Sequence, residues 1–199
     1  MLYQHELGLA EQMVSIAITG SPAVGKSALA KLLENDGWNV ESVAKLAKQF
    51  ACEGDYDKMT DSVEIDIHKL AENFIPNSDQ NTVIDGHLSH FLDVDAIIVL
   101  RCEPAKLRTR LESRGYSQAK VNANVEWELI AGTWSEIAEF GIDAPILELD
   151  SSNLSSEEIV AKVNNWINSD FKIDLVTISN AIDWLSLIHI SEPTRLDHI

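Results

Sequence analysis

Cysteine, basic residues and long hydrophobic runs are all scarce in this chain of 199 residues. Its two cysteines, Cys52 and Cys102, are too few for a disulfide framework or a cysteine-based zinc site, which favours reduced thiols. No run of about 18 consecutive apolar residues occurs, so no transmembrane helix is predicted. The N-terminal MLYQHELGLAEQM has neither a basic start nor a long apolar segment, so we expect a cytoplasmic protein without a secretion signal.

The charge is strongly one-sided, because 15 lysines and arginines stand against 32 acidic residues, for a formal net charge of −17. Such a surface repels a phosphate backbone at long range, which argues against a broad nucleic-acid-binding face. It attracts a basic protein partner. High solubility explains the same charge without any partner, so composition leaves both interpretations open.

The two ends of the chain are interpreted separately from its middle. Met13 directly precedes the first strand-like run, so residues 1–12 are either an extension or the product of a misplaced start. Residues 185–195 read LSLIHISEPTR, which matches an in-frame translation of a transposase-type sequencing adapter. We therefore expect 185–199 to be an artefact and treat 171–184 as an uncertain C-terminal extension. One domain is predicted over 13–170.

Short apolar runs alternate with helix-like segments through this domain. VSIAIT (14–19) is rich in β-branched residues and apolar on both faces, as a buried parallel strand is. Five strands are predicted, at 14–19, 38–43, 81–85, 95–101 and 145–150. The alternation of strands and helices predicts an α/β fold with three layers and a five-stranded parallel sheet.

About seven helices are predicted between these strands. They include segments at 44–52 and 65–74, separated by a polar, turn-rich connection over 52–62, and one long helical stretch at 117–140. Ser155 and Glu158 form a capping-box pattern at the start of the last helix.

GSPAVGKS (20–27) fits the pattern GxxxxGK[ST], follows a strand and opens a helix, which is the context of a phosphate-binding loop. Gly20 and Gly25 allow the backbone amides to face phosphate oxygens. Lys26 is expected to reach the β- and γ-phosphates of ATP, and Ser27 to offer a hydroxyl to Mg²⁺. The alternative is a glycine-rich turn with an exposed lysine.

VIDGH (83–87) is the second candidate part of the site. The strand beside a P-loop strand often ends in a carboxylate that holds Mg²⁺, which predicts that role for Asp85 rather than a capping or turn role. His87 lies two residues later, at the sheet edge where doubly wound folds bind ligands. Its two nitrogens suit the orientation of a water molecule, although a histidine satisfied within a loop is the alternative. His90 is interpreted as structural, and no zinc site is expected at either histidine.

The segment RLESRGYSQAKVNANVEWE (110–128) contains the spacing RGYxxxKxxxN. Together with GSPAVGKS and VIDGHLSH it resembles the archaeal and nuclear type of adenylate kinase, over roughly residues 14–168. The resemblance implies a P-loop kinase that forms two ADP from ATP and AMP, also hydrolyses ATP, and acts in small-ribosomal-subunit maturation. It implies Mg²⁺ as cofactor and a basic small-subunit ribosomal protein as a candidate partner.

The resemblance also implies roles for particular positions. Residues 113–123 would form a short lid in which Arg114 touches the nucleotide, unless Arg114 is a cation at a helix C-terminus. Residues 42–65 would form the monophosphate-binding region. There Lys48 stands where the family often has an arginine that grips the acceptor phosphate, although a lysine lacks bidentate geometry and could equally be a solvated helix residue.

Ala23 occupies a loop position where many relatives have glycine, and it is compatible with the loop if its φ is negative. The expected catalytic residues are Lys26, Asp85, His87 and Arg114. The expected ATP contacts are Gly20, Ala23, Gly25, Lys26, Ser27, Ala28 and Arg114.

Two other functions remain open from the sequence. The protein could be an ATP-driven assembly factor with little kinase activity, which the acidic surface favours weakly. It could also be a P-loop kinase of a small metabolite, for which no acceptor-specific motif is present.

Overall fold

Five parallel strands form the central sheet of the protein. The structure, a computed structural model, describes residues 13–57, 62–172 and 182–186. The strands of this sheet are β1 (Ser15–Thr19), β2 (Asn39–Ser42), β5 (Thr82–Asp85), β6 (Ala96–Arg101) and β7 (Ile146–Asp150), in the spatial order β2-β5-β1-β6-β7. The predicted α/β fold with a five-stranded parallel sheet is confirmed. Expectations for 1–12, for 173–181 within the C-terminal extension and for 187–199 fall outside the described residues.

Seven α-helices connect and cover these strands in the described part of the chain. They are α1 (Lys26–Asn35), α2 (Val43–Gln49), α3 (Ile67–Asn73), α4 (Pro104–Ser113), α5 (Gln118–Leu129), α6 (Gly132–Glu139) and α7 (Ser156–Asn168). A short 3-10 helix spans Ser89–Phe91. The predicted capping box of α7 is present, with the side chain of Ser155 and that of Glu158 each accepting a backbone N–H bond from the other residue.

The core lies on both faces of the sheet, as the doubly apolar strand β1 requires. Ile16 and Ile18 are fully buried in a cluster with residues of α1, α4, α5 and α7. Ala17, on the opposite face of β1, packs in a second cluster with Ile97 and Ile137. Burial on both faces fixes β1 in the middle of the sheet, so the loop that follows it lies at the centre of the sheet edge.

A two-stranded hairpin was missed by the sequence analysis. β3 (Glu53–Asp57) and β4 (Ser62–Ile65) pair in antiparallel fashion, where residues 52–62 were expected to be only a turn-rich connection. All five residues of β3 are exposed, so the apolar alternation that predicts a half-buried strand is missing from its sequence.

The helical stretch predicted over 117–140 is divided into two helices, α5 and α6. The chain breaks between α5 and α6 at Ala131, whose φ is +53°. A Cβ on the next residue, Gly132, would lie 2.1 Å from the ring of Trp127, so only glycine permits this close turn. The break redirects α6 so that Ile137 packs onto the sheet. None of the helices in the described ranges is long and apolar enough to cross a membrane.

Candidate functional site

The loop over residues 20–27 joins β1 to α1 and lies at the C-terminal edge of the sheet. Gly20 has a φ of +125°, and a Cβ there would lie 2.2 Å from the carbonyl oxygen of Leu100, so no other residue fits. Helix α1 begins at Lys26, directly after Gly25. The amide groups of the first helical turn therefore meet the loop, which is the arrangement that binds phosphate groups.

Ala23 does not have the negative φ that the sequence analysis required of it. Its φ is +69°, in the left-handed region, and its side chain is buried. A Cβ in this region meets the following carbonyl oxygen, at a cost of roughly 1–2 kcal/mol. The loop therefore holds a strained residue at a position where glycine would be unstrained.

Replacing Ala23 with glycine is expected to raise the free energy of unfolding by about 0.5 kcal/mol, because relief of backbone strain outweighs the added entropy of the unfolded chain. Urea denaturation of the nucleotide-free protein measures the change. Ala30→Gly in α1 is the matched control, since its buried alanine is helical and its replacement should cost about 1 kcal/mol or more. Loss of stability in both variants would show that packing of the Ala23 methyl group dominates.

Lys26 is folded back onto its own loop. Its Nζ donates hydrogen bonds to the carbonyl oxygens of Gly20 and Ser21, each at 2.8 Å. Burial lowers the pKa of Lys26 to about 8; Asp85 opposes this shift, and Arg114 adds to it. A bound phosphate group would favour the charged form of Lys26, because its negative charge would compensate for the burial of the ammonium.

Asp85 lies beside Ser27, the last residue of the loop. Strand β5 runs parallel to β1, with Asp85 level with Ile18, and the Ser27 hydroxyl donates to Asp85 Oδ2 at 2.7 Å. A hydroxyl and a carboxylate are oxygen ligands that suit Mg²⁺, which binds through few protein groups and keeps several waters. The described residues contain no cluster of three or more His, Cys, Asp or Glu side chains able to hold a metal ion, so phosphate and water oxygens would complete such a site.

A hydrogen bond to the backbone of His87 holds this residue in place, and its side chain lines a cavity. Its carbonyl oxygen accepts from the Thr19 hydroxyl at 3.0 Å. A Cβ on Gly86 would lie 2.5 Å from the side chain of Val43, so glycine lets this turn approach α2. Burial, together with the positive charges of Lys26 and Lys120, lowers the pKa of His87. The ring is therefore neutral at neutral pH, with one nitrogen able to accept a proton.

His90 is buried behind this turn. Its Nδ1 lies 2.9 Å from the Thr19 hydroxyl, and its ring stacks at a tilt on Phe91. Its Nε2 lies 3.2 Å from a carboxylate oxygen of Glu136 but does not form a hydrogen bond with it. Burial lowers the pKa of His90 to about 4, so this ring is neutral as well.

Two cavities lined by described residues adjoin the loop. The larger has a volume of about 800 Å³ and contains Lys26, Ser27, Asp85 and His87. Its other walls come from the region predicted to bind the monophosphate and from the predicted lid with the helix that follows, through Ser42, Val43, Ala44, Ile65, Tyr116, Ala119, Lys120, Ala123, Asn124 and Trp127. The structure thus places the phosphate-binding loop and the predicted monophosphate-binding region around one cavity.

The smaller cavity has a volume of about 270 Å³ and shares no lining residue with the larger one. Its lining includes Ala23, Gly25 and Ala28 from the loop region, and Arg110 and Arg114 from the end of α4. Arg114 is exposed and is the C-cap residue of α4. It therefore lies at a helix C-terminus and also lines a cavity next to the loop. Both interpretations of Arg114 from the sequence are compatible with this position.

Lys48 is not brought into the site. It is exposed on α2 and lines neither of these cavities, although Val43 and Ala44 of the same helix line the larger one. Its contact with an acceptor phosphate stays a prediction.

Sequence reasoning assigned no role to several residues that surround the site. Trp127, Thr133 and Glu136 line the larger cavity, and Glu128 is buried directly behind the loop. Glu128 follows Lys120 and Asn124 at helical spacing on α5, beyond the predicted lid over 113–123, and this spacing is the signal that could have placed it on the same helix face.

A parallel sheet with this loop at its central strand defines the class of three-layer P-loop α/β proteins. A family model described as an AAA domain matches residues 16–131. The chain is 36% identical to a protein of Archaeoglobus fulgidus named "Putative adenylate kinase", over 86% of this chain and 92% of that protein. It is 39% identical to a protein of the same name from Pyrococcus abyssi, over 79% of this chain and 86% of the relative. The chain belongs to the family of these archaeal proteins.

Solved structures agree with this fold. The YorR protein of Bacillus subtilis, solved in complex with phosphorylated GDP, matches with a TM-score of 0.53 and 16% identity over 78% of this chain and 96% of its own. Thymidylate kinase from Candida albicans matches with a TM-score of 0.51 and 13% identity over 82% and 96%. At such low identity these two matches show the fold alone.

Proposed function

We propose that the protein is a magnesium-dependent nucleoside monophosphate kinase that forms two ADP from ATP and AMP. The observation that carries the proposal is the larger cavity, in which Lys26, Ser27 and Asp85 face the region predicted to bind the monophosphate. Its volume of about 800 Å³ is in the range of small-molecule binding sites. The name shared by its archaeal relatives supports the same activity.

Each side chain has a defined task in this reaction. An oxygen of the AMP phosphate forms a bond to the γ-phosphorus of ATP while the bond from that phosphorus to the β-phosphate oxygen breaks, so both products are ADP. Lys26 and the loop amides neutralise the β- and γ-phosphate oxygens, and Arg114 adds positive charge from the lid side. Magnesium held by Ser27 and Asp85 would supply the remaining positive charge to the phosphates.

The direct test measures ADP formed from ATP with and without AMP, in the presence of Mg²⁺, with CMP, UMP and GMP as competing acceptors. The proposal expects AMP to increase ADP formation well above that from ATP alone. An absence of any increase with all four acceptors would refute the kinase and leave hydrolysis or a different acceptor. A metabolite acceptor is then the next class to assay.

ATP hydrolysis is proposed as a second activity of the same site. A neutral imidazole, His87, faces the larger cavity beside Lys26, where it can accept a hydrogen bond from a water molecule. Hydrolysis occurs when water rather than AMP attacks the γ-phosphorus, so the two activities share the residues that bind ATP.

A role in small-ribosomal-subunit maturation is proposed from the family resemblance and the net charge of −17. The partner would be a basic small-subunit ribosomal protein, attracted by the acidic surface. A pull-down with small-subunit proteins, with ATP, with ADP and without nucleotide, tests this role. Recovery of no ribosomal protein in any nucleotide state would refute it.

Affinity for ATP is expected to fall as the pH rises above about 8, because Lys26 in the nucleotide-free protein loses its proton in that range. The uncharged amine does not attract phosphate, so Kd should rise toward about tenfold for each further pH unit. Calorimetric titration with Mg-ATP from pH 7 to 10 measures the effect, and buffers of different ionisation enthalpy reveal the proton taken up on binding. A constant Kd with no proton uptake would contradict it.

A further inference from the structure

Glu128 is a buried carboxylate directly behind the phosphate-binding loop. It is 2% exposed, and its Oε1 accepts hydrogen bonds from Arg101 Nε at 2.6 Å, from the backbone amide of Cys102 at 3.2 Å and from Trp184 Nε1 at 3.1 Å. Its Oε2 accepts from the hydroxyl of Ser21 at 2.6 Å. Among the described residues, Glu128 thus links the sheet, the segment 182–186 and the second residue of the loop.

The Arg101–Glu128 pair does not by itself explain why a carboxylate is buried here. Both side chains are 2% exposed, and replacing a buried ion pair by apolar residues is often neutral or stabilising. Arg101 has a second carboxylate partner, Glu148, at 2.8 Å. Of the hydrogen bonds that Glu128 accepts, the short one from Ser21, which is also buried, is the one that reaches the phosphate-binding loop.

Ser21 is the point where this bond acts on the nucleotide site. Its carbonyl oxygen accepts from Lys26 Nζ, and its hydroxyl donates to Glu128. The two contacts restrict rotation of the peptide groups on either side of Ser21. Those groups belong to the backbone that must face the phosphates, and a loop already in place loses less entropy when it binds them.

We propose that Glu128 is a positioning residue of the phosphate-binding loop, and that it acts through the hydroxyl of Ser21 to hold the loop ready for nucleotide. The proposal rests on the proposed function, since it assumes that the loop binds ATP. It goes beyond that function because it gives Glu128, which lines neither cavity, the role of fixing the conformation of the loop.

Titration of the full chain with Mg-ATP, compared between Ser21→Ala and Ser15→Ala, tests the proposal. Ser15 is the matched control because it is equally buried, belongs to the start of β1 far from the loop, and donates to a carboxylate, Asp95, at 2.8 Å. Both variants should lose thermal stability. Ser21→Ala should in addition bind ATP about tenfold more weakly, because the unrestrained loop must be ordered when ATP binds, and Ser15→Ala should not.

A double-mutant cycle separates positioning from general destabilisation. Glu128→Gln is expected to weaken ATP binding in the wild-type background but to add nothing to the Kd of Ser21→Ala. Glu128→Gln removes one of the buried charged partners of Arg101, so this variant risks unfolding. If it does not fold, the comparison of Ser21→Ala with Ser15→Ala decides alone. Equal Kd values for Ser21→Ala and Ser15→Ala would overturn the proposal. Failure of the wild-type chain to bind ATP would instead refute the proposed function.

Discussion

Replacement of Lys26 with methionine is expected to lower kcat/KM for ADP formation from ATP and AMP by about a thousandfold. The ammonium lies in the larger cavity beside Ser27 and Asp85, at the start of α1. In the proposed reaction it reaches the β- and γ-phosphate oxygens, where negative charge shifts as the phosphoryl group is transferred. Methionine fills similar space without charge, so the loss is electrostatic rather than steric. Steady-state assays with varied ATP and fixed AMP measure it.

Lys31→Met is the control for this variant. Lys31 lies on the same helix, but it is exposed and forms an ion pair with Glu34. A pair of exposed charges contributes little to stability, so this variant should retain wild-type rates and a similar melting temperature. Comparable rates in Lys26→Met and wild type would show that the loop does not carry the reaction, and the kinase assignment would fall with it.

The parts of the site that could be predicted are those encoded by contiguous residues. The loop over 20–27 specifies its own conformation through Gly20 and Gly25, and the apolar strand before it determines its position at the sheet edge. Asp85 could be placed because parallel strands bring their C-terminal ends to one edge. The position of these residues in the sequence was sufficient to place them at the sheet edge, since each lies at or directly after the end of a strand.

The parts that could not be predicted depend on contacts between distant segments. The strain at Ala23 arises from the course of the loop, which the residue type does not reveal. The break at Ala131 depends on the close approach of Gly132 to Trp127, and a helical hydrophobic pattern continues through it. Glu128 is separated from Ser21 by 107 residues, so no local pattern connects them.

Replacement of His87 with alanine is expected to slow ATP hydrolysis by about a hundredfold, the lower range of a positioned general base, while leaving the Kd for ATP nearly unchanged. The ring faces the larger cavity, and its backbone is held by the Thr19 hydroxyl, so truncation removes the imidazole without moving the turn. Transfer to AMP should slow far less, because an ionised phosphate oxygen needs no base to attack. Hydrolysis should also fall in acid as His87 becomes protonated, at a pH below the ordinary pKa of histidine.

His68→Ala supplies the comparison, since His68 is exposed on α3 and its ring contacts Phe140 rather than the cavity. Single-turnover hydrolysis and calorimetric ATP binding, measured on both variants and on wild type, separate chemistry from affinity. If His87→Ala hydrolyses ATP as fast as His68→Ala, His87 does not orient the water. If both hydrolysis and transfer to AMP fall together, His87 acts on ATP itself, and the choice between water and AMP is made elsewhere in the cavity.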